Sequence, residues 1–285
     1  MRKFLIVTAD DFGLHDSVNA AVEQASRAGI LTAASLMVAA PAAADAIRRA
    51  RVLPGLRVGL HVVLADGNAM LAPRLIPGMA DRSGHMDGRM FARGVRFFAL
   101  PSVRRQLEAE IRAQFDAFSR TGLPLDHVNA HKHFHLHPTI LGMLIRIGRE
   151  YGASAIRVPD EPSWFAGRAG GWAAGTGAVL LKPMIALMKH RLRSARIFHN
   201  DRIFGIAGSG AMDESTLLEI LARLPEGVTE IYLHPGIESG DVIAPSMRGY
   251  RHHEELDALL SPRVRAAVEA AGAARGGYGD ALRQR

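Results

Sequence analysis

The chain of 285 residues contains no cysteine. That excludes disulfides, thiolate metal sites and thiol nucleophiles, so any bound metal must rest on His, Asp or Glu; it also fits a reducing compartment. No apolar stretch reaches the ~18 residues of a membrane span. The opening MRKFLIVTADD has too short an apolar region for a signal peptide, which points to a cytoplasmic protein. No zinc-finger spacing and no interleaving of aromatic with basic residues is found, so nucleic acid is not an expected partner. No internal repeat or linker divides residues 1–285, and one domain is the economical reading.

What is present is a globular composition, 48% hydrophobic with a formal net charge of +7. Part of the positive charge is local: Lys189, Arg191, Arg193, Arg196 and Arg202 follow the apolar run AVLLKPMIALM. An apolar helix with a basic end fits a membrane surface. It fits equally a buried helix whose cations complement its dipole.

Apolar runs suited to buried strands alternate with helical patterns along nearly the whole chain. FLIVTA (4–9), TAASLMVAA (32–40), RVGLHVVL (57–64), a histidine-rich segment from 125, AIRVP (155–159) and TEIYLHPG (229–236) read as strands. Helices are expected at 16–27, 41–51, 103–120, 139–151, 213–223 and 254–271. Residues 65–100 lack a clean period and read as a lid or substrate-binding insertion. About seven such alternations predict an α/β fold: a single-domain, distorted TIM-like (β/α) barrel with about seven parallel strands.

In such barrels chemistry collects at the C-terminal ends of the strands, where the conspicuous polar residues fall. Asp10 and Asp11 follow the first strand, His61 lies near the exit of the third, and His234 closes the last clear one. HVNAHKHFHLHP (127–138) places histidines at 131, 133, 135 and 137. On a strand these would share one face, and Lys132 would point away. An Asp and two His can hold a divalent ion while leaving room for water. The Asp10–Asp11 pair offers a ligand and a general base, His61 and His131 offer nitrogens, and His234 is placed to be the general acid. Which aspartate does which job is open on these grounds. His133 and His135 would support the ligands or touch substrate. Each residue also has a plainer role: Asp can cap the following helix, and a histidine in an apolar strand can be a satisfied core residue. His15, His85, His199, His252 and His253 are given no role.

TADDFG, GLH, HVNAHKHFHLHP and YLHPG, in this order over residues 3–271, resemble the YdjC-like family of carbohydrate deacetylases. The resemblance implies a divalent metal on Asp11, His61 and His131, with Asp10 as base and His234 as acid. Zinc or magnesium is the expected ion, with manganese, cobalt and nickel as alternatives. The reaction implied is removal of an N-acetyl group from an N-acetylglucosaminyl substrate. The chain departs from the family pattern at Asn129 and Ala130, where Asp and Ser are usual, and at Lys132, where His is usual; a contact supporting the metal ligands is thereby put in question. The stretch from GILTAASL to RVGLHVVL most resembles the hopanoid-biosynthesis-associated branch. That implies a lipid-linked sugar, a glycosylated hopanoid, met peripherally at the inner face of the membrane; a homodimer is a separate expectation. The alternatives are soluble chitooligosaccharides, a metal-dependent phosphoesterase, or a non-catalytic histidine-rich metal-binding protein.

Overall fold

The apolar runs become strands buried on both faces, as parallel sheets require. In the computed structural model, which describes residues 3–167, 176–238 and 242–285, the first are β1 (Lys3–Phe12), β2 (Ala33–Leu36) and β3 (Arg57–Val62), while the two-residue strands β4 (Gly67–Asn68) and β5 (His85–Met86) form a separate, partly exposed hairpin. They are followed by β6 (Val128–Ala130), β7 (Arg202–Phe204), β8 (Gly227–Leu233) and β9 (Ala274–Arg275). Seven form one sheet in the order β6–β3–β2–β1–β8–β7, with β9 also beside β1. Its pairings are all parallel. The sheet curls, and isolated parallel bridges at Val128–Ile156 and Ala155–Phe198 carry it on from β6. The result is the expected single-domain α/β architecture, the frame of a TIM-like barrel.

Helices cover the sheet through narrow apolar stripes. Asp16–Ala28 buries Val18, Ala21, Val22 and Ala25, and its N-terminus is capped by His15, whose side chain accepts from the Ser17 N–H. Pro101–Arg120 buries Val103, Leu107, Ile111, Phe115 and Phe118 at spacings of three and four, the period of one helix face.

Four local expectations are corrected. The helix expected over 254–271 is two, His252–Leu260 and Pro262–Ala270. Pro262 lacks an N–H to continue the first, and Ser261 caps the second by accepting from the Arg263 and Val264 N–H groups. Residues 65–100 have structure of their own: the β4–β5 hairpin, a turn at Pro73–Leu75 and a helix at Met90–Ala99. AIRVP makes only bridges. No strand runs through the histidines. β6 stops at Ala130, and the backbone turns left-handed at Lys132 (φ 53°) and His133 (φ 56°).

The apolar-basic helix spans Thr176–Ser194. Met188 and Leu192 are buried, whereas Leu181 and Leu187 are exposed. Two of its cations are held internally: Lys189 by Asp160, and Arg191 by the Pro138 carbonyl at 2.7 Å. The Gly- and Trp-containing stretch before it falls largely in 168–175, outside the described residues.

Under the rim, Ser35 on β2 pairs with Gly59 on β3, and the Leu60 N–H donates to the His127 carbonyl. A Cβ on Gly59 would lie 2.5–2.6 Å from three atoms of the buried His127 ring. Only glycine leaves room for the imidazole to reach across to Ser35. Gly59→Ala is therefore expected to destabilise the fold by about 1–3 kcal/mol through overpacking. Gly55→Ala, where a Cβ meets nothing within 4 Å, should stay within about 0.5 kcal/mol of the parent. Urea unfolding of the two variants checks this.

Candidate active site and metal centre

β1 runs further than its apolar residues suggest and carries both aspartates to its end. Its register against β2 shifts between Ala9 and Phe12, and Asp11 sits in the left-handed region (φ 60°), which Asp tolerates better than most residues. In a regular strand neighbouring side chains face opposite ways. The irregularity lets both carboxylates serve one site, with different partners.

Asp10 is taken by Arg157. The guanidinium donates to both Asp10 oxygens, at 2.5 and 2.9 Å, and to both Glu230 oxygens, at 2.9 and 2.7 Å. It is fully buried and lies 4.8 Å from the centre of the Tyr232 ring. Glu230 also accepts from the Thr8 hydroxyl at 2.6 Å and the Tyr278 hydroxyl at 2.5 Å. Burial pushes the Asp10 carboxyl up, but Arg157 and His61 outweigh it, and its pKa lies far below the usual carboxylate range.

Asp11 faces imidazoles instead. Its Oδ1 lies 3.1 Å from His131 Nδ1 and 3.3 Å from His61 Nε2, and the two nitrogens are 3.4 Å apart. His234 Nε2 is 3.8 Å from Asp11 Oδ2. Among the described residues neither Asp11 oxygen has a hydrogen-bond partner, although both are buried. Donors bound about 2.0–2.2 Å from one ion, at cis to tetrahedral angles, stand roughly 2.9–3.5 Å apart. The Asp11–His61–His131 triangle has that size. Among the described residues these three gather their ligand atoms within 4.8 Å of one another. An unsatisfied buried carboxylate against two ring nitrogens is costly alone and fits a cation between them. Burial lowers the proton affinity of His61, but Asp10 and Asp11 more than restore it, so without metal its pKa is raised.

Asn129 answers the doubt raised by its departure from the family pattern. It lies opposite His61 in the β3–β6 pairing. His61 Nδ1 donates to Asn129 Oδ1 at 2.6 Å, and the amide nitrogen donates to Ser35 Oγ at 2.9 Å and Asp10 Oδ1 at 3.3 Å. With Nδ1 holding the proton, neutral His61 turns an unprotonated Nε2 to Asp11 and His131. An amide oxygen can orient a ligand histidine as a carboxylate does.

The remaining histidines divide. Asp10, His61, His131, Lys132, His133, Tyr232 and His234 line one cavity of about 160 Å³ at the strand ends. His133 Nε2 meets the Tyr232 hydroxyl at 3.0 Å; burial and then Arg157 push its pKa down to about 3. His135 is fully buried and turned inward, where Nδ1 accepts from the Ala130 N–H at 3.1 Å. It does not line the cavity. His137 caps the helix Pro138–Glu150. Lys132 does not point away: it lines the cavity and pairs with Asp66 at 2.5 Å, tying residues 65–100 to the histidine turn.

His234 is positioned by the helix His252–Leu260. Its N–H donates to Glu255 at 2.5 Å, and its carbonyl accepts from His252 Nδ1 at 2.6 Å. Among the described residues Nδ1 of His234 has no hydrogen-bond partner. Burial, incompletely offset by Asp11 and Asp10, keeps its pKa below the ordinary value.

Arg157, Glu230 and Tyr232 were not singled out in the sequence, and Asn129 was noted only as a departure from the family pattern. A signal existed for two of them. Arg157 in AIRVP and Glu230 in TEIYL are opposite charges inside short apolar runs, and burial on both faces obliges each to find the other.

The sequence pattern of YdjC-like proteins matches residues 4–270. A carbohydrate deacetylase of Geobacillus stearothermophilus is 28% identical over 266 residues, covering 93% of this chain and 92% of its own. One from Brevibacillus brevis is 36% identical over 163 residues, and the match spans 60% of that protein and 57% of this chain. A chitooligosaccharide deacetylase of Yersinia enterocolitica is 27% identical, covering 98% of this chain and all of its own. Among solved structures, an Enterococcus faecalis V583 protein, described as a candidate cellobiose-phosphate cleavage protein, superimposes with a TM-score of 0.76 at 23% identity over 98% of this chain and 99% of its own. That likeness concerns the fold.

Two predictions follow from the buried charges. Arg157→Met should cost about 3–5 kcal/mol in chemical unfolding by stranding Asp10 and Glu230, and adding Glu230→Gln should recover part of it. Glu255 is raised to about 7 by burial, against the pull of the Met212 and His234 N–H groups. A carboxyl raised on folding stabilises fully below its unfolded pKa, and that contribution is lost as pH rises to the folded value. Relative to Glu255→Gln, the parent should therefore lose about 3 kcal/mol between pH 4.5 and 7, read by urea titrations across that range.

Proposed function

The chain belongs to the YdjC-like family, and from that premise we propose that it is a metal-dependent carbohydrate deacetylase acting on N-acetylglucosaminyl groups. The observation that carries this is the Asp11–His61–His131 triangle, with Asp10 and His234 on the same cavity. Two imidazoles and one carboxylate suit zinc, cobalt or nickel better than magnesium, which prefers oxygen ligands.

A bound divalent ion would polarise the acetamide carbonyl and make water a competent nucleophile. The protein's part is proton handling. Asp10, fixed by both arms of Arg157, remains ionised at ordinary pH and accepts the proton of the attacking water. His234 Nε2 gives a proton to the departing sugar nitrogen; its lowered pKa makes its protonated form a stronger acid. The proton that Asp10 collects balances the one that His234 gives up. Tyr232 and His133 line the wall beside Asp10 and contact the sugar, and residues 65–100, held by Asp66–Lys132, act as the insertion over the cavity.

The finer reading is a lipid-linked sugar, a glycosylated hopanoid met at a membrane surface. Its support is the resemblance over residues 29–64 and the exposure of Leu181, Leu187, Val95 and Leu100. The second reading, a soluble chitooligosaccharide, is supported by the Yersinia relative.

Acetate release from an N-acetylglucosaminyl hopanoid and from chitooligosaccharides tests both, with and without chelator. Release should require metal and fall about 10²–10⁴-fold in Asp10→Asn, with unfolding curves showing that the variant is folded. Release from the soluble sugars alone would replace the lipid reading. No release from either by metal-loaded protein would leave a metal-binding protein and overturn the enzyme.

A further inference from the structure

The Asn129 amide holds His61 in the useful tautomer only while its oxygen, not its nitrogen, faces the imidazole. Turned over, Asn129 would donate to Nδ1, and the imidazole proton would move to Nε2, where a metal must bind. An amide in this position therefore needs a device that fixes its orientation.

A buried polar row behind it has a defined direction. At its far end Asp126 accepts from the Tyr278 and Gly279 N–H groups, both at 2.9 Å, and from His127 Nδ1 at 3.0 Å. Burial opposes the Asp126 charge, but His127 and the two N–H groups prevail, so it is held ionised. An ionised carboxylate only accepts, so in the neutral ring it is Nδ1 of His127 that carries the proton and Nε2 that is the acceptor. Ser35 Oγ, 3.1 Å away, must then donate to it. With its hydrogen committed, Ser35 can only accept from Asn129, at 2.9 Å. The amide nitrogen is thereby turned to Ser35, and the oxygen to His61. Asp10 Oδ1 takes the second amide hydrogen at a looser 3.3 Å. Ser35, His127 and Asn129 are fully buried, and His127 is clamped between the Gly59 gap and the Tyr278 ring stacked at 4.8 Å.

We infer that Asp126, His127 and Ser35 form a positioning relay that fixes the Asn129 amide, and through it the His61 tautomer, so that an unprotonated Nε2 faces the metal position. The inference rests on Asp11, His61 and His131 being metal ligands, but its first readout does not need metal. The relay begins at the far end of β6 and reaches the rim by hydrogen-bond direction alone, so its residues touch neither substrate nor metal.

The experiment is nitrogen NMR of the His61 ring in metal-free protein at pH 9, together with zinc affinity from chelator competition. The parent should show the Nδ1–H tautomer. Ser35→Ala should shift His61 toward Nε2–H and weaken zinc binding about tenfold or more. In an Asn129→Asp background, where the side chain has no nitrogen to turn inward, Ser35→Ala should leave both tautomer and zinc affinity within twofold of Asn129→Asp alone. Nε2–H in the parent, or an unchanged tautomer in Ser35→Ala, overturns the relay. Equal losses in both backgrounds would mark Ser35 as merely structural and overturn it too. If the parent takes up no zinc, the metal-site reading fails, while the tautomer still decides the relay.

Discussion

Arg157 has no contact with solvent, and the arrangement of the site follows from that constraint. A buried guanidinium is tolerated only when its donors are met and its charge is balanced. Here one edge is taken by Glu230 from β8 and the other by Asp10 from β1, neighbouring strands at the centre of the sheet. The cation thus ties three separate segments together just below the rim. It also fixes which aspartate is which. Asp10 is committed to Arg157, so the carboxylate left to face His61 and His131 is that of Asp11.

That division needs a local break in the strand. Two consecutive residues of a regular strand cannot serve one pocket, and the left-handed backbone at Asp11 supplies the break. Lys132 and His133 repeat the device across the cavity. Strained backbone gathers where ligands must be aimed, and the surrounding sheet must supply the stability that holds it. Among the described residues, three of the five left-handed non-glycine residues lie in these two turns, and Asp66, a fourth, is the ion-pair partner of Lys132.

The same contrast decides what the sequence disclosed. The barrel was legible because parallel strands buried on both faces must be apolar, and β1, β3 and β8 say so plainly. The convergence of Asp10, Asp11, His61, His131 and His234 was legible because strand ends of such a sheet meet on one rim. The path of the chain through His131–His137 was not. Alternation every second residue is the mark of a strand, but it carries no information about two residues turning left-handed, and so Lys132 was placed on the wrong side and His135 was left near a cavity it does not line. Arg157 and Glu230 were visible as charges in apolar runs, but the link from Arg157 to Asp10 was not: the partners of Arg157 lie 147 and 73 residues away, and pairing of that range is set by sheet order. Asn129 read as a lost carboxylate because residue identity alone does not show that an amide oxygen has been turned to take its place.

Charge balance joins these observations. Asp10, Asp11 and Glu230 bring three carboxylates into a space that Arg157 alone cannot neutralise. Two negative charges remain, and the unpaired one is on Asp11, whose oxygens find no hydrogen bond among the described residues. Protons drawn onto His61 can offset part of this, which is why its pKa rises in the metal-free protein. A divalent cation bound there would offset all of it and release those protons. On this account the pocket is built short of positive charge by the amount one such ion carries, and Arg157 is kept from supplying it by its two-sided commitment beneath.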